Sequence, residues 1–207
     1  QIYREKGYNA YYIPHMTTFD KIVDNSLRSH RVINIGRLTK DKQQIMLLDI
    51  WKAFNKKFPQ NEYLLQIIGS GEEKESIINY IEENQIKNVQ LIPHTSKIEE
   101  YYKEAELFVF TSKMEGFGMV LLEAMSYGVP CISFDCPSGP RDIINNEVNG
   151  FLVPCYDRSK FSNYIYKYVT SDQSIKENFS RGAKETIIQW DNNEIINKWV
   201  DVFRKIG

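Results

Sequence analysis

Apolar and polar positions alternate in blocks along the chain. Short apolar runs at 31–35, 63–68, 89–92, 107–110 and 130–134 are rich in Val, Ile, Leu and Phe. Runs of this length between turn signals predict strands buried on both faces. The intervening stretches carry apolar residues every three or four positions, the spacing of a helix with one inward face. Ile45, Leu48, Trp51, Phe54 and Phe58 form such a stripe, which Pro59 ends. Further helices are predicted over 73–84, with Ile77, Ile78 and Ile81 inward, over 98–104, and over 119–127, where Gly128 suits the closing cap. Residues 158–207 predict helices, with one stripe of Phe161, Ile165, Tyr168 and Val169 and another of Ile196, Trp199, Val200 and Phe203. Residues 8–13 suit a short edge strand ended by Pro14, and 20–30 a polar loop. Strand and helix alternate through the first three-quarters. That order predicts an α/β fold: a Rossmann-like parallel sheet with helices on both faces. The expected organisation is a leading segment over 1–30, the sheet domain over 31–188 and a C-terminal helix over 189–207.

Composition sets bounds on this picture. The chain has 207 residues, 42% of them hydrophobic, enough for one domain with a real core. A formal net charge of -1 gives no electrostatic case for nucleic acid. No apolar run approaches the roughly 20 residues that span a bilayer. No signal peptide is visible, and the start at Gln1 without methionine is expected of a trimmed or partial chain. The cysteines Cys131, Cys136 and Cys155 have no framework spacing and suit a reducing cytosol as buried or incidental thiols. Cys131 and Cys136 lack the His or Cys neighbours that a zinc site needs.

The chemistry gathers at two strand-to-helix connections. The first follows 107–110: a polar loop leads through Glu115, Gly116, Phe117 and Gly118 into the helix carrying Glu123. The crevice beyond a strand's C-terminal end is where open parallel sheets bind ligands. Loop N–H groups and a helix start hold negative oxygens there. Ionised carboxylates accept hydrogen bonds only, so Glu115 and Glu123 suit a ligand with several hydroxyls; the plainer alternative is a solvated loop charge and a surface helix charge. The second connection follows 31–35 and carries Gly36, Arg37 and Lys42. An Arg fork and a Lys point charge can clamp a diphosphate, although two such residues at a turn are also ordinary surface. Gly69-Ser70-Gly71 permits a tight turn and close backbone approach. It is no dinucleotide fingerprint, because Glu72, Glu73 and Glu75 follow and would repel a pyrophosphate.

The segment E-G-F-G-M-V-L-L-E, followed by E-A-M-S-Y-G-V-P-C-I, resembles the signature of the retaining glycosyltransferases of family 4, which have the GT-B fold. The match extends to G-R-L-x-x-x-K at Gly36 to Lys42 and to N-G-F-L-V at Asn149 to Val153, and covers the chain from about Pro14 onward. Two departures stand out. Gln43 occupies a usual glycine position, and Arg141-Asp142 replaces a Gly-rich loop with glutamate. His15 follows Pro14 where family members commonly have Asn; it either faces the cleft or is an exposed linker residue.

The resemblance implies the donor-binding C-terminal half of a GT-B enzyme, with a nucleotide-sugar-binding domain over 31–188 and a last helix that crosses back to an N-terminal domain. It implies a catalytic set of Arg37, Lys42 and Glu115. Donor-binding positions are Gly36, Gly69, Gly71, His94, Gly116, Phe117, Gly118, Met119, Val120, Glu123, Ser138 and Gly139. His94 either stacks on a base or is plain polar surface. The implied donor is a nucleotide diphosphate sugar, UDP-linked in preference to GDP-linked, with no cofactor and no divalent metal. The implied acceptor is a glycan or lipid-linked glycan at the missing half. The implied location is the cytoplasm, with peripheral association at the inner face of a membrane open. Competing readings are a nucleotide-sugar binding module, a GT-B-fold UDP-sugar epimerase, and a dehydrogenase, which would need a stronger fingerprint.

Overall fold

The structure, a computed structural model, describes residues 5–7, 10–11, 13, 16, 30–190 and 192–206. Pro14, His15, half of the edge strand expected over 8–13 (residues 8, 9 and 12) and residues 20–29 of the expected polar loop lie outside the described residues. Among the described residues six strands are formed: β1 Arg31–Ile35, β2 Leu64–Ile68, β3 Val89–Ile92, β4 Leu107–Phe110, β5 Cys131–Phe134 and β6 Gly150–Val153. Every pairing between them is parallel, and the order across the sheet is β3-β2-β1-β4-β5-β6. The chain thus starts at the middle of the sheet, builds outward to β3, and returns to the other side of β1 with β4. That reversal makes the β1/β4 boundary the topological switch point, where a crevice opens above the strand ends.

The helices are α1 Gln44–Lys57, α2 Lys74–Glu83, α3 Ile98–Glu104, α4 Met119–Ser126, α5 Pro140–Ile143, α6 Arg158–Val169, α7 Gln173–Gln189 and α8 Asn192–Ile206. The period-2 geometry of a strand sends neighbouring side chains to opposite faces. Val32, Leu65, Leu107, Val109 and Ile132 accordingly pack against α1 and α6. Ile33, Phe108, Phe110 and Cys131 face the other way, against α3, α4 and part of α7. The sequence expectation of strands buried on both faces therefore holds for β1, β2, β4 and β5, whereas β3, at the edge of the sheet, has no buried residue; strand ends lie within a residue of those read from the apolar runs.

Two details differ from the sequence reading. Leu47 and Ile50 are fully buried beside Leu48, Trp51 and Phe54, so the buried face of α1 is wider than one stripe. The reason is that α1 packs both on the sheet and on α6, its neighbour on the same face, which itself lies on β5 and β6. The stripe on α8 is not core: Ile196, Trp199, Val200 and Phe203 are all exposed, with Trp199 and Phe203 stacked at 5.7 Å. Ile195, at the flank of that stripe one turn before Trp199, is buried.

Candidate functional site

The loops after β1 and β2 are stitched together at the crest of the sheet. Leu38 N–H donates to the Ser70 carbonyl at 2.9 Å, and Glu73 N–H donates to the Leu38 carbonyl at 3.1 Å. This close approach explains the glycines. A Cβ on Gly69 would lie 1.9 Å from the Gly36 carbonyl oxygen, and one on Gly71 would lie 2.3 Å from that of Leu38. Gly69 and Gly71 therefore serve the backbone packing first; Gly71 lies beneath Leu38, off the cavity described next.

A cavity of about 280 Å³ opens above β1, β2 and β3. Gly36, Arg37, Gly69, His94 and Glu123 line it, with Ile35, Ile68, Ser70, Thr95 and Ile98. Five residues singled out in the sequence, drawn from four separate segments, thus meet in one place. Arg37 is exposed at its mouth. The Gln44 amide fixes the backbone there, donating to the Arg37 carbonyl at 2.9 Å.

Lys42 and Glu115 are joined to each other. The Lys42 ammonium donates to Glu115 Oε1, and the two side chains are only 21% and 11% exposed. The Lys42 ammonium also lies 5.4 Å from the centre of the Phe110 ring, a cation–π contact at the end of β4. The lysine stem runs beside Gly36, 3.9 Å from where a Cβ would stand. This pair therefore sits at the edge of the cavity, over the switch point. Thr111 secures the lysine's backbone, donating to the Lys42 carbonyl at 3.1 Å.

Gly116, Phe117, Gly118, Met119 and Val120 form the loop and first turn of α4. Gly118 adopts φ 88, a left-handed value that favours glycine, and this turns the chain into the helix. Ser138 and Gly139 do not line the cavity. The turn that carries them supports the Glu115 loop through its neighbours: a Cβ on Gly139 would stand 1.7 Å from the Phe117 carbonyl oxygen, and Glu115 N–H donates to the Pro137 carbonyl at 3.3 Å. Phe117 packs edge-on against Trp190 at 5.2 Å. Arg141, the departure noted in the sequence, makes a two-pronged bond to Asp135 at 2.8 and 2.6 Å.

Glu123 has a partner that sequence reasoning missed. The Tyr102 hydroxyl donates to Glu123 Oε2 at 2.8 Å. Burial raises the Glu123 carboxyl above the usual glutamate value, and the tyrosine bond opposes that rise. Burial also pushes the Tyr102 phenol well up, so it remains a donor. The two residues are far apart in sequence, and no local motif links them. The thiols behave as expected of buried groups: Cys131 and Cys136 are buried, burial raises Cys131 well above the usual thiol value, and burial carries Cys136 to about 12. No group of three or more His, Cys, Asp or Glu among the described residues is placed to hold a metal ion.

Comparison with known proteins bears on this geometry. The profile of the family described as Glycosyl transferases group 1 matches residues 17–186. The amylovoran biosynthesis glycosyltransferase AmsD of Erwinia amylovora is 33% identical over 176 residues, covering 84% of this chain and 48% of that protein. The poly(ribitol-phosphate) alpha-N-acetylglucosaminyltransferase of Staphylococcus aureus is 30% identical over 172 residues, covering 82% and 34%. Among solved structures, a mutant of S. aureus TarM in complex with fondaparinux, alpha-GlcNAc-glycerol and UDP superposes with a TM-score of 0.85 at 27% identity, over 96% of this chain and 41% of that one. The chain thus spans a third to a half of the length of these relatives. With the match extending over most of its residues, and with a six-stranded parallel sheet like that of GT-B enzymes, the chain belongs to the group 1 glycosyltransferases.

Proposed function

We propose that this chain is the donor-binding half of an enzyme that moves a sugar from a nucleoside diphosphate, UDP in the first place, to a glycan or lipid-linked acceptor in cell-surface glycan synthesis. The observation that carries the proposal is the convergence at the switch point: Arg37, His94 and Glu123 share one cavity, and Lys42 and Glu115 are paired at its edge. Two cations and two carboxylates at one crevice match a ligand with a pyrophosphate at one end and hydroxyls at the other. UDP is also the nucleotide named in the complexes of TarM and of the pneumococcal O-GlcNAc transferase GtfA.

In this scheme Glu123 accepts from the ribose hydroxyls, and His94 with the Gly36 and Gly69 backbone borders the base. The diphosphate lies against Arg37, Lys42 and the first N–H groups of α4 at Met119 and Val120, which a helix start leaves without intrahelical partners. Glu115, with Gly116 and Phe117, receives the sugar hydroxyls. Bond cleavage leaves positive character on the sugar and negative charge on the departing diphosphate. Fixed cations that meet this charge lower the barrier, each charge-assisted contact contributing about 1.5–3 kcal/mol. Arg37 and Lys42 supply the positive charge, so the scheme uses no divalent ion. Retention of configuration belongs to the same proposal.

The exposed face of α8 extends the reading. Ile196, Trp199, Val200 and Phe203 form an apolar surface that a preceding N-terminal domain would cover, consistent with a division at 1–30, 31–188 and 189–207. No helix of the described residues is long and apolar enough to cross a membrane; the proposed setting is the cytoplasm, at the face of the membrane where a lipid-linked acceptor would lie. Calorimetric titration of the chain with UDP, GDP and NAD tests the core of the proposal. Heat with UDP and none with NAD is expected. Binding of NAD alone would defeat it.

A further inference from the structure

Tyr102 lies outside the cavity, on α3, and is fully buried. Its ring is held on both sides. It stacks on Tyr127 with centroids 5.4 Å apart and an interplanar angle of 12°, and on Phe108 of β4 at 6.3 Å. Tyr127 follows directly after α4, the helix that carries Glu123. The ring is thus clamped between the strand beneath the crevice and the end of that helix. From this fixed position its hydroxyl reaches Glu123 Oε2. A glutamate side chain left alone on a helix samples several rotamers. A carboxylate anchored through one oxygen presents the acceptor sites of the other in a set direction. Glu123 lines the cavity, so that direction matters to whatever binds there.

We propose that Tyr102 is a positioning residue: it holds Glu123 in the orientation that accepts from a ribose diol, and so makes the site select ribonucleotides over 2′-deoxyribonucleotides. This rests on reading the cavity as the nucleotide site. Selection follows from leaving the carboxylate short of a donor when the 2′-hydroxyl is missing, a loss a site built for that hydroxyl feels strongly. A Glu123 free to rotate would turn to water and feel the loss less.

The test is calorimetric titration of the chain, of Tyr102→Phe, and of both in a Glu123→Ala background, with UDP and 2′-deoxy-UDP from acid to neutral pH. Tyr102→Phe keeps the stacked ring, and equal melting temperatures confirm that the fold is intact. The wild type is expected to prefer UDP by roughly tenfold or more, and Tyr102→Phe to lose most of that preference through weaker UDP binding. The pH midpoint of UDP binding should move upward in Tyr102→Phe, because the bond that favours the charged carboxylate is gone. In the Glu123→Ala background the tyrosine substitution should change neither quantity, the signature of action through Glu123. A Tyr102→Phe chain that discriminates like the wild type with an unmoved midpoint reduces Tyr102 to core packing and overturns the inference. A wild type that binds UDP and 2′-deoxy-UDP equally also overturns it, while leaving the nucleotide site standing. A wild type that binds neither defeats the nucleotide site itself.

Discussion

Lys42 and Glu115 neutralise each other across two strand-to-helix connections, at the edge of the cavity, with side chains only 21% and 11% exposed. A donor whose pyrophosphate needs the lysine and whose sugar needs the glutamate must part them. The free site is therefore self-paired, and part of the binding energy goes into breaking that pair. Glu115→Gln removes the competitor for the lysine. UDP, which carries the pyrophosphate and no sugar, should bind about three- to tenfold tighter to this variant, equivalent to roughly 0.7–1.4 kcal/mol. Lys42→Ala should weaken UDP by about tenfold or more, the loss of one charge-assisted contact. Titration calorimetry reads both, and Glu115→Gln binding UDP more weakly than the wild type would show that the glutamate contacts the nucleotide rather than restraining the lysine.

Glu123 gives a pH prediction whose sign follows from burial. Its carboxyl holds a proton more readily in the folded chain than in the unfolded one. Ionising such a group costs stability, and the cost grows as pH rises from the unfolded pKa through the folded one. At neutral pH, Glu123→Gln should therefore melt no lower than the wild type, with the difference vanishing in acid, below both values. The same substitution should weaken UDP binding by about tenfold. In the wild type, UDP affinity should fall as the pH drops through the raised glutamate pKa. Thermal melts and titrations along a pH series check this, and a clear loss of stability at neutral pH in Glu123→Gln would mean that the charge serves the fold.

The opposite edge of the sheet holds a second pair of charges. Glu106, just before β4, is 2% exposed and bonds the Lys176 ammonium at 2.8 Å and the Tyr63 hydroxyl at 2.9 Å. Lys176 also donates to Tyr63 at 3.1 Å. Glu106 and Tyr63 both precede their strands, whereas the cavity lies beyond the strand ends. Lys176→Met leaves a buried carboxylate with one fewer partner and should cost about 3 kcal/mol. Urea unfolding measures the loss, and UDP affinity at a temperature where the variant is folded should be unchanged. A drop in affinity would mean that the two edges are coupled.

What was legible in the sequence divides along the length scale of the interaction. Strands such as 107–110 were readable because burial on both faces leaves an unbroken apolar run, and α4 because Gly118 and Gly128 bracket it. Arg37 and Glu123 could be assigned to one site because each sits on a strand-to-helix connection, and the fold gathers such connections at one edge. The Lys42–Glu115 pairing and the Tyr102 bond were not legible. They depend on how β1 and α3 stand beside β4 and α4, a tertiary distance with no periodic trace. What covers the stripe of α8 was not legible for a related reason: periodicity shows that a helix has an apolar face, and says nothing of what lies against it.

Gln43 is a departure that the backbone makes costly. It stands where the resemblance read from the sequence implies glycine, and it adopts φ 55, ψ 42, the left-handed region. That conformation joins the turn at Lys40–Lys42 to the start of α1. A side chain there crowds the backbone by about 1–2 kcal/mol, whereas glycine meets no such penalty. The side chain offers little in return, since its Oε1 is buried without a hydrogen-bond partner. Glycine gives back part of the gain through the larger entropy of its unfolded chain. The balance predicts that Gln43→Gly stabilises the chain by about 0.5–1 kcal/mol. The Lys42–Glu115 bond involves no atom of the Gln43 side chain, so the same change should leave the lysine's pairing in place and UDP affinity within about twofold of the wild type. Urea unfolding and calorimetry on one preparation test both halves. A destabilised variant would show that the glutamine side chain supports the turn after all, and that its buried oxygen has a partner in solution.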